Sequence, residues 1–230
     1  MKENIINENE TEAEKDYNVE FIGKGHSDKF TTYKVNLLGI NGVGKSGISF
    51  RLLNNKFKED SSPTISVDVE NFQVKVNDKI IQFQLWDSCG NEEFAQNTPN
   101  LFRGTTLAII VYAINDRKSF FEVQKWNNIL NKYSRECMKY LIGNKCDLED
   151  YRVVSKEEGE ALKDDYDFDL FLEISAKTGF NITNLINNIA ISIYQKEKKL
   201  EEEDELLPQA GRLSLNKEFD RKPKKKKNCC

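Results

Sequence analysis

Eight consecutive residues, Gly39-Ile40-Asn41-Gly42-Val43-Gly44-Lys45-Ser46, constrain this chain more than any other stretch. They fit G-x-x-x-x-G-K-[ST], the pattern of a loop that wraps phosphate. Its glycines let the backbone curl until successive N–H groups point inward at an anion. Lys45 would reach the β- and γ-phosphates, and the Ser46 hydroxyl would coordinate Mg2+. A glycine-rich turn that merely precedes a lysine would look similar, but the flanks argue against it. Tyr33-Lys34-Val35-Asn36-Leu37-Leu38 alternates and then turns apolar, as a strand should. Ile48, Phe50, Leu52 and Leu53 suit a buried helix that starts at the loop and offers its positive dipole end to the phosphate.

Downstream, Val67 to Val76 and Ile80 to Trp86 alternate apolar with polar, and Asn77-Asp78 supplies a tight turn between them. Together they predict an antiparallel hairpin beside the first strand, closed by Asp87. Ser88 to Gly104 is polar and reads as a mobile loop. Thr106 to Ala113 is a continuous apolar run suited to a buried parallel strand. Ser119-Phe120-Phe121-Glu122 reads as a capping-box start for a helix carrying Val123, Trp126, Ile129 and Leu130. Met138 to Gly143 is a further short strand, and Ser155 to Glu158 caps the next helix. Phe168 to Ile174 gives the last strand, and Ile182 to about Lys199 the last helix. Alternating strands and helices predict an α/β fold with a mostly parallel sheet. Ligands of such sheets sit at the carboxyl ends of the strands. The Gly39 loop, Asp87, Asn144-Lys145-Cys146-Asp147 and Ser175-Ala176-Lys177 all follow predicted strands, so they should converge on one rim.

Composition sets the limits. The chain has 230 residues, an apolar fraction of 38% and a net charge of -4, which argues against bulk nucleic-acid binding. Residues 1–30 are rich in Asn, Glu, Asp and Lys and cannot bury enough surface to offset chain entropy; they read as disordered, with His26, the only histidine, a solvated tail residue. No apolar run reaches the ~18 residues of a membrane span, and no signal peptide is visible. Cys89, Cys137 and Cys146 lack metal-ligand spacing and read as reduced thiols in a cytosolic protein.

Asn144-Lys145-Cys146-Asp147 has the parts for reading guanine. A carboxylate such as Asp147 can accept from both the ring N1–H and the exocyclic amine, a pairing adenine cannot supply. Asn144 can bond the base edge, and the Lys145 stem can lie over the ring.

With these motifs in their observed spacing, residues 33–197 resemble the Ras superfamily of small GTPases and, within it, the Rab family. Trp86-Asp87-Ser88-Cys89-Gly90-Asn91-Glu92-Glu93-Phe94 is similar to the Rab stretch W-D-T-A-G-Q-E-R-F; Thr64-Ile65-Ser66-Val67-Asp68 is similar to T-I-G-V-D. Phe102-Arg103-Gly104 matches the tail of Y-Y-R-G, and Glu173 to Lys177 resembles E-T-S-A-K. The resemblance implies a three-layer P-loop NTPase fold, a Ras-like G domain over 31–199. Its six-stranded, mostly parallel sheet would have one antiparallel strand and helices on both faces. GTP or GDP would be held by Asn41 through Gly47 (Gly42, Val43, Gly44, Lys45, Ser46), by Phe57 packing on guanine, by Asn144, Lys145, Asp147 and Leu148, and by Ser175, Ala176 and Lys177. Ser46 and Thr64 would supply oxygens to Mg2+, with Asp87 acting mainly through water. Lys45, Gly90 and Asn91 would form the catalytic group. Thr64 and the Gly90 N–H would act as a latch held by the γ-phosphate.

Two departures bear on hydrolysis. Asn91 stands where the family places the glutamine that orients the attacking water. It is one methylene shorter, so its oxygen falls about 1 Å short, a misplacement that can cost on the order of 100-fold. Asn41 stands where Ras has glycine. Together they favour slow intrinsic turnover, unless an activating protein supplies its own groups. Val69 and Glu93 depart from the family on the effector face.

Residues 200–230 read as a flexible tail. It carries the six basic residues of Arg221-Lys222-Pro223-Lys224-Lys225-Lys226-Lys227 and closes on Cys229 and Cys230. The Rab family that the chain resembles commonly ends in a doubly geranylgeranylated cysteine pair, and two lipids, or one lipid plus a basic patch, are what stable anchoring needs; the resemblance therefore implies that both cysteines carry lipid and that the tail meets an anionic membrane surface. The expectation is a monomer on the cytoplasmic face of intracellular membranes, with a cytosolic pool. It would be served by an exchange factor, a GTPase-activating protein, effectors at Lys56–Val76 and Ser88–Gly104, and an escort or GDP-dissociation-inhibitor chaperone. Two alternatives share the loop. One is a hydrolysis-deficient, persistently GTP-bound scaffold; the other, a small-molecule kinase, is disfavoured by Asn144, Asp147 and the terminal cysteines.

Overall fold

Each apolar run bounded by polar breaks becomes one strand, and the runs of helical period pack over them. The computed structural model describes residues 17–59, 64–91 and 98–206. The chain divides into two units, residues 1–191 and 192–230. In the first, the described residues form one sheet from β1 (Val19–Lys24), β2 (Thr32–Leu38), β3 (Asp68–Val76), β4 (Lys79–Asp87), β5 (Thr105–Ala113), β6 (Met138–Asn144) and β7 (Leu170–Glu173). The strand order is β1-β3-β4-β2-β5-β6-β7. From β4 to β7 all neighbours are parallel, whereas β3 runs antiparallel to both β1 and β4. The hairpin closes through Asn77-Asp78, where Val76 pairs with Lys79.

The helices are α1 (Lys45–Asn54), α2 (Pro99–Phe102), α3 (Arg117–Phe121), α4 (Val123–Tyr133), α5 (Lys156–Asp165) and α6 (Ile182–Leu206), with a 3-10 turn at Cys146–Tyr151. One face of the sheet, through Leu38, Ala108, Ile110 and Leu141, packs on Phe102, Phe120, Trp126 and Leu130. On the opposite face Tyr140 donates its hydroxyl to Asn188 O at 3.0 Å. In the second unit the described residues continue α6 to Leu206, beyond the expected end near Lys199.

Three readings need correction. The sheet has seven strands rather than six, because β1 forms inside the segment expected to be disordered. Its alternation, Val19 and Phe21 inward, is too short to outweigh the charged composition around it; what holds it is tertiary. Phe21 lies 5.9 Å from Phe72, which stacks on Phe83 at 4.9 Å. The link from β1 to β2 is held by Gln82 of β4, a fully buried side chain. Gln82 Oε1 accepts from Ser27 N at 2.7 Å and from Gln73 Nε2 at 3.0 Å, and Gln82 Nε2 donates to Thr32 Oγ1 at 2.6 Å. His26 is exposed, as expected, but it is tied to the fold rather than part of a loose tail, since its Nδ1 lies 2.9 Å from Gln82 Nε2 and its Nε2 3.1 Å from Asp28. Lastly, Ser119 does not cap a helix. Asp116 is the N-cap, accepting from Lys118 N and Ser119 N, while the buried Ser119 Oγ accepts from Ala113 N at 2.9 Å. The capping box expected at Ser155 is present in full, with Glu158.

Candidate nucleotide site

Sheet register brings the motifs together. Leu37 pairs with Asp87, Leu38 with Ile110, Ala113 with Asn144, and Gly143 with Glu173, so the carboxyl ends of five parallel strands form one rim. The phosphate loop rises from β2 and turns into α1. Gly42 and Gly44 have φ of 83° and 95°, a backbone only glycine adopts without strain. Gly44 is also the N-cap of α1 and offers no side chain to its first turn, which leaves those N–H groups for an anion. Lys45 Nζ donates across the loop to Gly39 O at 2.9 Å and Ile40 O at 3.0 Å.

Asn144 is buried, and both ends of its amide are engaged. Nδ2 donates to Val43 O at 2.8 Å, and Oδ1 accepts from Ala176 N at 3.2 Å. It therefore braces the phosphate loop against the Ser175 loop, where sequence reading gave it a bond to the base edge. A Cβ on Gly44 would collide with that same amide. Lys145, itself at φ 66°, donates to Gly42 O at 2.6 Å. Asp147 is exposed to the cavity and oriented by Ser175 Oγ, which donates to Oδ1 at 2.5 Å. A cavity of about 380 Å³ opens between these residues, walled by Gly44, Gly47, Phe57, Lys145, Leu148, Ala176 and Lys177. Sequence reading missed Arg51 of α1, whose Nε donates to Ala176 O at 2.8 Å and whose guanidinium also bonds Lys177 O. Only its place on the helix hinted at it.

Next to this cavity, Ser46 Oγ and Thr64 Oγ1 lie 2.8 Å apart. Asp87 is buried, and its Oδ1 has no hydrogen-bond partner. Two hydroxyls and one unsatisfied carboxylate oxygen are a hard-oxygen donor set of the kind Mg2+ takes, so the residues fit the ion. Among the described residues no cluster of three His, Cys, Asp or Glu offers an alternative metal site. Burial pulls the Lys45 ammonium down to about 8, against the charges of Asp87 and Cys89. Burial pushes the Asp87 carboxyl up, opposed by its hydrogen bond from Ser46 and by Lys45. Both groups are thus held less firmly charged than in water, a cost that a phosphate and a dication would offset.

Gly90, at φ 52°, lies directly on the phosphate loop: a Cβ there would stand 2.6 Å from Asn41 N and 2.7 Å from Asn41 Oδ1. Asn91 follows it and is exposed. The carboxyl-terminal Cys229 and Cys230, and the basic run before them, lie outside the described residues, as do 60–63 and 92–97 of the two loops.

The model of the Ras family matches residues 34–195. The chain belongs to the Ras family. Within it, this is a Rab-type small GTPase. It is 36% identical over 198 residues to the GTP-binding protein ypt2 of Schizosaccharomyces pombe, covering 86% of this chain and 95% of that protein. It is 38% identical over 171 residues to the Ras-related protein Rab-8A of Bos taurus, covering 74% of this chain and 82% of that one. With the Ras-related protein RIC1 of Oryza sativa subsp. japonica it shares 39% over 159 residues, 69% of this chain and 78% of the relative. Ras-family GTPases bind GTP or GDP with Mg2+.

Proposed function

We propose that this Rab-type chain is a slow GTP-hydrolysing switch for vesicle traffic, anchored to the cytoplasmic face of intracellular membranes through Cys229 and Cys230. The observation that carries the nucleotide reading is the brace at Asn144, which ties the phosphate loop to the Ser175 loop with Asp147 facing the cavity between them. Phe57 and the Lys145 stem flank the base, and Asp147 accepts from the guanine edge. Ser46 and Thr64 would hold Mg2+, with Asp87 acting mainly through water, and the ion would supply positive charge against the phosphates. Lys45 supplies a fixed positive charge to the β- and γ-phosphates, and the Gly90 N–H meets the γ-phosphate, so Gly90 and Thr64 report its presence to both loops. Effectors, exchange factor and activating protein read Lys56–Val76 and Ser88–Gly104, and an escort of the GDP-dissociation-inhibitor type takes up the lipidated tail.

Asn91 sets the rate. Single-turnover hydrolysis of preloaded GTP, compared between the native chain and Asn91→Gln, tests this. A rise on the order of tenfold to 100-fold is expected if the missing methylene misplaces the attacking water. Equal and ordinary rates would remove Asn91 as a brake. No hydrolysis in either form would favour the persistent GTP-bound scaffold, and failure of guanine nucleotides to outcompete adenine nucleotides would overturn the site itself.

A further inference from the structure

The loop that carries Gly90 and Asn91 returns to the sheet through α2, and its return is fastened with unusual density. The carbonyls of four successive residues, Asn100 to Arg103, all accept hydrogen bonds from side chains. Lys34 Nζ of β2 donates to Asn100 O at 2.9 Å and to Arg103 O at 3.1 Å. Asn36, two residues on and fully buried, donates Nδ2 to Leu101 O at 2.6 Å and to Thr105 Oγ1 at 2.8 Å. Phe102 O accepts from Thr105 Oγ1 and from Ser134 Oγ, each at 2.6 Å. The departing end of the loop is held by the same strand, since Ser88 Oγ donates to Leu37 O at 2.6 Å.

An α2 of one turn leaves its last carbonyls without helical partners, and burying them unpaired would be costly. Here β2 answers them. Asn36 interrupts the buried apolar half of β2, between Val35 and Leu37, both fully buried. A polar residue at that core position needs a reason, and these bonds supply one. Lys34 adds a second contact, its ammonium lying 3.8 Å over the Trp86 ring of β4. Burial draws the Lys34 ammonium down to about 8.

We infer that Lys34 and Asn36 are positioning residues for GTP hydrolysis, holding residues 99–104 in one arrangement in both nucleotide states. The inference rests on the GTPase reading above. With the return of the loop fixed in advance, capture of Gly90 by the γ-phosphate has fewer residues to order. The contact then goes into placing Gly90 and Asn91 rather than into folding α2.

Two variants test it. Lys34→Met keeps the stem beside Trp86 and removes both hydrogen bonds at a part-exposed position; Asn36→Leu removes the buried donor at nearly equal volume. In the native chain, amide hydrogen exchange over 99–104 should be the same with GDP and with a non-hydrolysable GTP analogue. Each variant should open a difference between the two states there, slow single-turnover hydrolysis by about threefold or more, and leave GDP affinity within about twofold. A merely structural role would raise exchange equally in both states. That pattern would overturn the inference, as would native exchange over 99–104 that already changes with nucleotide. If the native chain binds no guanine nucleotide in the same titration, the GTPase reading fails first, and the two failures stay distinct.

Discussion

At the scale of single residues, side chains set the chemistry of the rim, and several act by holding backbone. Asn144, Lys145, Arg51 and Lys45 all donate to main-chain carbonyls around the candidate nucleotide cavity, so side chains of the chain itself hold the backbone of its wall. Cys146, between Lys145 and Asp147 in sequence, does not line the cavity but packs half-buried against the core cluster. Burial first, and then the nearby carboxylates of Glu173 and Asp147, push its thiol up to about 11. The thiolate is the reactive form, so at pH 8 iodoacetamide should modify Cys146 on the order of 100-fold more slowly than an ordinary exposed thiol. Site-resolved mass spectrometry measures this, and an ordinary rate would show that this packing opens. The linked stability has a definite sign. The folded state keeps a proton that the unfolded thiol loses, so this contribution falls as pH rises between about 9 and 11 and is flat below.

At the scale of elements, the extra strand is the clearest test of how the sheet is held. Phe21 is half-buried against Phe72, and its removal deletes apolar contact at the sheet edge, far from the rim. Phe21→Ala should cost about 1–2 kcal/mol in urea denaturation while GDP affinity stays the same. An unchanged midpoint would mean that β1 adds nothing to the fold. This strand also shows where reading the chain failed. The phosphate loop, the hairpin, the parallel strands and the Ser155 cap were legible, because each depends on local pattern or on backbone geometry that particular residues require. The seventh strand was not, because its stability comes from Phe72 and Gln82, some fifty residues away in sequence. Ser119 failed for the related reason that Asp116, three residues earlier, already starts the helix, which places Ser119 inside its first turn with its hydroxyl turned to Ala113 N. In the site, the identities of Asp147, Ser46, Thr64 and Asp87 could be read, whereas the bracing duties of Asn144, Arg51 and Asn36 required knowing which carbonyls lie across from them.

At the scale of the whole molecule, what a Rab-type chain accomplishes depends on where it resides. Beyond Leu206 the tail lies outside the described residues, so its role is settled by fractionation. Deleting Cys229 and Cys230 should move the protein from the membrane pellet to the soluble fraction. A truncated form that stays in the pellet would refute the lipid anchor, and the six basic residues of Arg221 to Lys227 should then be tested alone. The N-terminal side has a geometry of its own. Asn18 and Asn77 bond one another, Asn18 N to Asn77 Oδ1 at 3.0 Å and Asn77 N to Asn18 O at 2.8 Å, at the hairpin turn. From there β3 runs back to the pairing of Asp68 with Asp87 at the rim, about 26 Å away at 3.3 Å per residue. A dye or a sensor-chip linkage placed at Tyr17 would therefore sit at the far pole of the sheet. It would leave the candidate nucleotide cavity and the two loops proposed to meet partners facing solution, a ready handle for watching the proposed switch engage such partners one molecule at a time.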